Sequence, residues 1–217
     1  MATPPNTLLP PKAPNLPVGP MQYEQRYQNQ LLADLRRYFN TLDNALGLLL
    51  GTGGGGGKYV RFPYGAFQSN VTQTAVANTA TVMTLNQTDL TNDVSVVSSS
   101  KITVVNSGIY NLQWSGQFQN TDTQLHDASI WLRVNGSDLA GSTGLVSIPN
   151  KHGGVDGHTI ISWNYFVQLN ADDYVELWWS VTSALVTLEA YAAGTAPTRP
   201  TTASVIATLS FVSALPA

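Results

Sequence analysis

The feature that most constrains this sequence is a two-residue alternation of apolar and polar side chains, which recurs throughout residues 59–217. Turn signals such as Asn135-Gly136 and Gly153-Gly154 separate the runs, and no helical pattern interrupts them. The clearest runs are 110–118, 128–134, 161–169, 175–181, 186–190 and 205–211. A period of two is typical of a strand with one buried face. The alternation therefore predicts about eight to ten strands in a β-sandwich.

Several of these strands also carry large apolar residues on the second face, where polar residues would be expected. These residues are Trp131, Phe166, Tyr174, Trp178 and Ile206. One or two exposed aromatic residues would mean little. Five of them on different strands indicate that the outward faces are covered, and self-association would cover them.

A helical period marks residues 21–50, which are rich in helix formers and follow Pro20, a residue suited to a first helical turn. Apolar residues recur there at steps of four and three, as in a coiled-coil seam: Leu31, Leu35, Tyr38, Leu42, Ala45 and Leu49. Leu32, Phe39 and Leu46 form a second row, and so wide a stripe suits more than two helices. We predict an oligomerising stalk; the alternative is a helix that packs against the chain's own domain.

Residues 1–20 hold seven of the 12 prolines, which exclude a helix or a central strand because proline lacks an amide donor. They predict an extended arm. Aliphatic residues among the prolines favour an arm that lies in a groove of a partner over a disordered tail. The predicted anchoring residues, two of them tyrosines of the next segment, are Leu8, Leu9, Leu16, Val18, Tyr23 and Tyr27.

Between the helix and the strands, residues 51–58 read GTGGGGGK. A nucleotide-binding loop needs Gly-x-x-x-x-Gly-Lys-Ser/Thr, but Thr52 stands at the first glycine position and Tyr59 follows the lysine. Consecutive glycines lose much conformational entropy when they become ordered. The run therefore predicts a flexible hinge, which would let a head tilt on its stalk.

Composition and motifs argue against several function classes. A net charge of −3 gives no electrostatic case for nucleic acid or an anionic membrane as partner. No apolar run approaches the length of about 18 residues that a membrane span needs, and the first residues do not resemble a secretory signal. The chain has no cysteine, no His-Glu-x-x-His and no Gly-x-Ser-x-Gly motif. The adjacent Asp172 and Asp173 would point to opposite faces of a strand. We predict no enzyme, cofactor or metal.

Two loops are the predicted places of surface recognition, because loops on rigid scaffolds commonly carry recognition. The first is glycine-rich and holds His152, Asp156 and His158; a metal site is conceivable there, but a surface loop is the better interpretation. The second is the loop 197–200, which holds Arg199.

The order of the strand motifs resembles the jelly-roll heads of tumour necrosis factor and of the complement globular proteins. The segments that carry the likeness are KITVVNSGIYNLQWSGQF (101–118), YFVQLNADDYVELWW (165–179), VTLEAY (186–191) and SVIATLSFV (204–212). Ala171 and Asp172 stand where that family usually has a glycine before Asp173. The resemblance implies a jelly-roll sandwich and a tight homotrimer with aromatic residues near the threefold axis. The expected trimer contacts are Leu31, Leu35, Tyr38, Leu42 and Leu49 of the helix and Trp131, Phe166, Tyr174 and Trp178 of the strands.

The amino-acid sequence of the head resembles bacteriophage versions of this fold, and residues 16–44 resemble the N-terminal anchor of phage virion proteins. The resemblance implies a component of the particle surface, assembled in the host cytoplasm, whose partner is the major capsid protein or another shell or tail protein. The expected function is capsid decoration, as a cement or head-fibre protein. The alternatives are a tail-fibre tip that binds a host-surface glycan and, on weaker grounds, a polysaccharide-degrading enzyme.

Overall fold

The computed structural model describes residues 14–16, 18–50 and 62–215, with the side chains of residues 48–50 excepted. The chain divides into two units, with the boundary between Phe62 and Pro63. The predicted hinge at residues 51–58 and the anchoring residues Leu8 and Leu9 lie outside the described residues.

The first unit contains one helix, α1 (Gln25–Leu50). The Glu24 carbonyl accepts a hydrogen bond from the Gln28 amide at 3.1 Å, which opens the helical ladder. The prediction that Pro20 occupies the first turn is wrong, because the helix begins only at Gln25 and residues 18–20 have no regular structure. In the described part of the chain, no helix has both the length and the apolar character needed to cross a membrane.

The predicted stripe of α1 is present as a continuous surface. Its seam residues with described side chains are partly buried: Leu31, Leu35, Tyr38, Leu42 and Ala45. The neighbouring row, Leu32, Phe39 and Leu46, is between 40% and 53% exposed. Among the predicted anchoring residues, Leu16, Val18 and Tyr23 are exposed and Tyr27 is partly buried.

The second unit consists of strands. In chain order they are β1 (Tyr64–Ser69), β2 (Gln73–Thr74), β3 (Thr81–Val82), β4 (Gln87–Asn92), β5 (Val94–Val97), β6 (Lys101–Val104), β7 (Gly108–Asn120), β8 (His126–Val134), β9 (Ser137–Asp138), β10 (Gly144–Ile148), β11 (Gly157–Leu169), β12 (Tyr174–Val181), β13 (Val186–Leu188), β14 (Gly194–Thr195), β15 (Thr198–Arg199) and β16 (Val205–Ser213).

Two antiparallel sheets form a sandwich. Sheet 1 runs β11-β7-β16-β1-β4, with β13 and β2 alongside the end of β7. Sheet 2 runs β10-β8-β12-β6-β5, with β9 paired to β8 and β3 to β12, and β14 and β15 form a separate hairpin. The chain passes repeatedly from one sheet to the other, for example between β6 and β7, β7 and β8, and β11 and β12. This connectivity is that of a jelly roll, so the predicted all-β sandwich is confirmed.

Inward side chains of both sheets fill the core of the sandwich. The largest fully buried ones are Trp179, Tyr110, Phe67, Phe118, Met83, Ile102, Leu112, Ile130, Leu132, Ile148, Leu169 and Leu188. Phe118 of sheet 1 meets Trp179 of sheet 2 edge to face, with ring centroids 5.9 Å apart. The predicted inward sets are thus confirmed for β7, β8, β12 and β16. On β11, Ile161, Trp163 and Tyr165 are only partly buried, because this strand lies at the edge of sheet 1.

Two predicted turns have the backbone that their residues favour. Asn135 and Gly136 have φ values of 51° and 81° and join β8 to β9, and Gly153 and Gly154 have φ values of 59° and 84° in the tip of a hairpin closed by His152 and Val155. Asp172 adopts φ 67°, in the left-handed region that glycine favours.

Candidate functional site

On four adjacent strands of sheet 1, namely β1, β16, β7 and β11, the outward face carries no Asp, Glu, Lys or Arg. We call it the uncharged face. Its outward residues are Tyr64, Ala66, Gln68, Ile206, Thr208, Ser210, Ile109, Asn111, Gln113, Ser115, Gln117, Gln119, His158, Ile160, Ser162, Asn164, Phe166 and Gln168. Asp89 lies at its margin on β4, where it accepts a hydrogen bond from Gln68 at 2.7 Å.

A shallow concavity lies in the middle of the uncharged face. The register places Ser115 beside both Ser162 and Ile206, and Gln113 beside both Asn164 and Thr208. Small side chains on three adjacent strands therefore form a floor between longer neighbours. The resulting central concavity has a volume of about 460 Å³.

Exposed apolar side chains surround the central concavity. On β11, Ile160 is 68% and Phe166 57% exposed, and on β16 Ile206 is 44% exposed. Tyr64 on β1 and Leu90 on β4 are 43% and 61% exposed. Exposed apolar side chains that cluster within a polar surface often mark an interaction site.

The outward face of sheet 2 has the opposite character. The strand register aligns Lys101 of β6, Glu176 of β12, Arg133 of β8 and Asp138 of β9 in one row of alternating charge. Arg133 Nε donates to Asp138 Oδ1 at 2.5 Å, and this contact is the main reason that the pKa of Asp138 is lowered. We call this surface the charged face.

Three of the predicted trimer contacts, Trp131, Tyr174 and Trp178, lie on the charged face beneath this row. The Arg133 guanidinium lies over the ring of Trp178, with its Cζ 3.7 Å from the ring centroid, and Trp131 Nε1 donates to Asp138 at 2.7 Å. The Lys101 ammonium lies 4.5 Å from the centroid of Tyr174. Each aromatic ring is partly buried by its own chain.

The five second-face residues therefore belong to two opposite surfaces. Phe166 and Ile206 lie on the uncharged face and are exposed, whereas the other three lie on the charged face and are partly buried. The role of Trp131, Tyr174 and Trp178 as trimer contacts stays a prediction. Within one chain, Arg133 already covers part of Trp178 and Lys101 part of Tyr174, because long cationic side chains of neighbouring strands can cover aromatic rings.

A second, smaller concavity lies at the end of the uncharged face, beside the β14–β15 hairpin. Its lining residues are Gln117, His158, Tyr191, Arg199 and Thr202, and its volume is about 310 Å³. We call it the end concavity. It brings together two of the four predicted recognition residues, because His158 begins β11 and Arg199 ends β15.

The other two predicted recognition residues do not line the end concavity. Asp156 is close by but is held by the Lys151 ammonium at 2.8 Å and the Gln119 amide at 2.7 Å. The hydrogen bond from Lys151 is the main reason that its pKa is lowered. His152 closes the tip of the hairpin around Gly153 and Gly154.

The sequence did not indicate that Gln117, Tyr191 and Thr202 belong to this site. Tyr191 and Thr202 are joined by a pair of backbone hydrogen bonds of 3.0 and 2.9 Å, which no local pattern announces. The Tyr191 hydroxyl lies 3.3 Å from His158 Nδ1. Burial first, and then the nearby carboxylates of Glu189 and Asp156, raise the pKa of Tyr191.

Asp173, one of the other candidates for a chemical role, has a structural role instead. Asp173 accepts hydrogen bonds from the Asn170 amide at 2.7 Å and from Asn135 Nδ2 at 2.7 Å, so it holds the turn between β11 and β12. Within residues 14–16, 18–50 and 62–215, no group of three or more His, Asp or Glu side chains is arranged to hold a metal ion.

Comparison with known proteins adds no relatives to this description. No protein-family model matches the chain, and no curated protein is significantly similar to it in sequence.

Proposed function

We propose that this chain is a trimeric structural protein of a bacteriophage particle, in which three heads associate through the uncharged face. One observation carries the proposal, namely the breadth of a charge-free surface with exposed Phe166, Ile160 and Ile206. The centres of protein interfaces are depleted in charged residues and enriched in aromatic ones. Two further copies of the same chain are the occupants that we propose for this surface.

The helix supports the same oligomeric state. Leu32, Phe39 and Leu46 form an exposed row beside the partly buried seam of α1. A two-stranded coiled coil covers mainly the seam, whereas an assembly of three helices covers a wider stripe. Three copies would therefore bury both rows.

Attachment to a particle is proposed for the arm and the start of the helix. Leu16, Val18 and Tyr23 are exposed apolar residues on a segment without regular structure, as suits a peptide that adopts its final contacts on a partner surface. Three arms on one trimer would bind far more tightly than one, because the second and third bind at high effective concentration. The resemblance of residues 16–44 to phage anchors supports a capsid or tail protein as the partner.

Analytical ultracentrifugation of the full chain tests the trimer. We expect a single species of three chains at micromolar concentration, and a stable single-chain species would overturn the proposal.

The particle assignment has its own test. A chain that lacks residues 1–44 should keep a folded head yet fail to enter particles in infected cells. Incorporation at the level of the full chain would contradict the anchoring role.

A receptor-binding tail-fibre tip is the second candidate, and the end concavity favours it because aromatic, cationic and hydroxyl groups converge there. Copy number separates the two functions. Mass spectrometry of purified particles should find many tens to hundreds of copies of a decoration protein, but only a few trimers of a tail fibre. Binding to a glycan array would favour the tip.

A further inference from the structure

We propose that the end concavity binds a single sugar unit that carries a carboxylate. Its lining combines one guanidinium, one imidazole, two hydroxyls and one amide around a volume of about 310 Å³. This volume is at the lower end of the range for small-molecule sites. The inference requires only the fold of the head, so it can fail or succeed independently of the proposed trimer.

Arg199 supplies the charge that selects a carboxylate. Its Nη1 reaches the Ala192 carbonyl and the Thr202 hydroxyl only at 3.5 Å each, and none of the ion pairs among the described residues involves it. The guanidinium therefore keeps most of its donors for a ligand. A guanidinium binds a carboxylate through two parallel hydrogen bonds, which adds geometric selectivity to charge attraction.

The β14–β15 hairpin holds Arg199 in this position. Gly194 is paired with Arg199, and a Cβ added to Gly194 would lie 2.7 Å from Cγ and 2.8 Å from Nε of that arginine. The side chain therefore runs flat across the glycine toward the concavity. Any larger residue at position 194 would push it away, so the hairpin works as a support for the guanidinium.

The neighbouring carboxylates do not occupy this guanidinium. Asp156 is paired with Lys151 at 2.8 Å, and the two oxygens of Glu189 accept hydrogen bonds from Thr72 and Thr187 at 2.8 Å each. Neither residue lines the concavity. Arg199 is thus the one ionised group among the described lining residues when His158 is neutral.

The remaining lining groups fit a sugar ring better than a simple anion. The rings of His158 and Tyr191 meet edge to face, with centroids 6.1 Å apart and an interplanar angle of 74°, and offer an apolar surface to the C–H groups of a pyranose. Gln117 and Thr202 can both donate and accept hydrogen bonds, as hydroxyl recognition requires. A carboxylate on Arg199 would set the orientation of the ring on this surface.

Saturation-transfer NMR and isothermal titration of the full chain with glucuronate and with glucose test the proposal. We expect glucuronate to bind with a dissociation constant on the order of 1 mM and glucose to bind at least about tenfold more weakly. This comparison uses the native chain, so it does not depend on whether a variant folds. Equal affinity for the two sugars, or no saturation transfer to glucuronate at about 10 mM, would overturn the inference.

Variants locate the site. Arg199→Gln should weaken glucuronate binding at least about tenfold, and Gly194→Ala should weaken it by moving the same guanidinium. Lys101→Gln is the matched control, because it removes an equal charge from the opposite sheet. Thermal melts report whether each variant folds. If both hairpin variants fold and bind glucuronate as the native chain does, the end concavity is not the site.

Discussion

The two outer faces of the sandwich carry a similar set of apolar residues, but the side chains that surround these residues differ. On the charged face, Trp178 lies under Arg133, and Trp131 donates to Asp138. On the uncharged face, Phe166 and Ile206 lie among uncharged side chains of neighbouring strands and remain 57% and 44% exposed. The difference lies in the neighbours and not in the apolar residues themselves.

The two faces show that outward apolar residues alone do not mark an interface of a sheet. A tryptophan that points outward is no indication of a partner when a cationic side chain on the next strand can cover it. The absence of any charge across four adjacent strands is a stronger indication, because exposed sheet surfaces ordinarily use charge to stay soluble and single. The uncharged face is therefore the surface that we propose for the trimer contact.

The largest expected effect comes from a charge placed in the middle of the uncharged face. Ser162→Glu puts a carboxylate on the floor of the central concavity, where the native side chain is exposed in the single chain. In the trimer that carboxylate would be buried without a partner, at a cost of about 3 kcal/mol or more per copy. The trimer dissociation constant should rise at least about 100-fold, measured by sedimentation equilibrium.

Leu145→Glu is the control for this experiment. Leu145 lies on β10 in sheet 2 and is 78% exposed, so the same charge is added to the other sheet. We expect Leu145→Glu to have the same trimer dissociation constant as the native chain. If Ser162→Glu and Leu145→Glu behave alike, the uncharged face is not the contact between copies.

The next effect should appear in the stability of the single head. Arg133→Ala removes the cover of Trp178 and the partner of Asp138, and should lower the free energy of unfolding by about 1–2 kcal/mol. The urea midpoint measures this change, and the oligomeric state should not alter. Arg133→Lys keeps the charge but loses the planar stacking, so its urea midpoint should lie between those of the native chain and Arg133→Ala. A shift to monomer in Arg133→Ala would place the contact on the charged face instead.

The sequence predicted the sandwich well because its signal is local. A strand with one buried side reads as alternation, and the inward residues of β7, from Tyr110 to Phe118, follow that rule without exception. The apolar stripe predicted helix α1 equally well, except at its start. Pro20 suggested a first turn there, but the helix begins at Gln25.

The sequence could not assign the outward residues to their two faces, because that depends on which strand lies beside which. Trp178 lies under Arg133 because β8 and β12 are paired, and nothing next to Trp178 in the sequence indicates this contact. The end concavity shows the same limit. His158 and Arg199 were singled out separately, but only the pairing of Tyr191 with Thr202 brings them to one place.

The smallest effect is the pH dependence that Asp138 contributes on the charged face. Hydrogen bonds from Arg133 and Trp131 lower the pKa of Asp138 in the folded chain, so its contribution to stability is present above the unfolded pKa and is lost as the pH falls through the folded one. Asp138→Asn should therefore be less stable than the native chain at pH 7, and the gap between their urea midpoints should close between about pH 5 and pH 2. Asn164→Ser on the uncharged face replaces one uncharged residue by another and should show a pH-independent gap. A gap for Asp138→Asn that stays constant to pH 2 would show that the charge row on sheet 2 does not stabilise the fold.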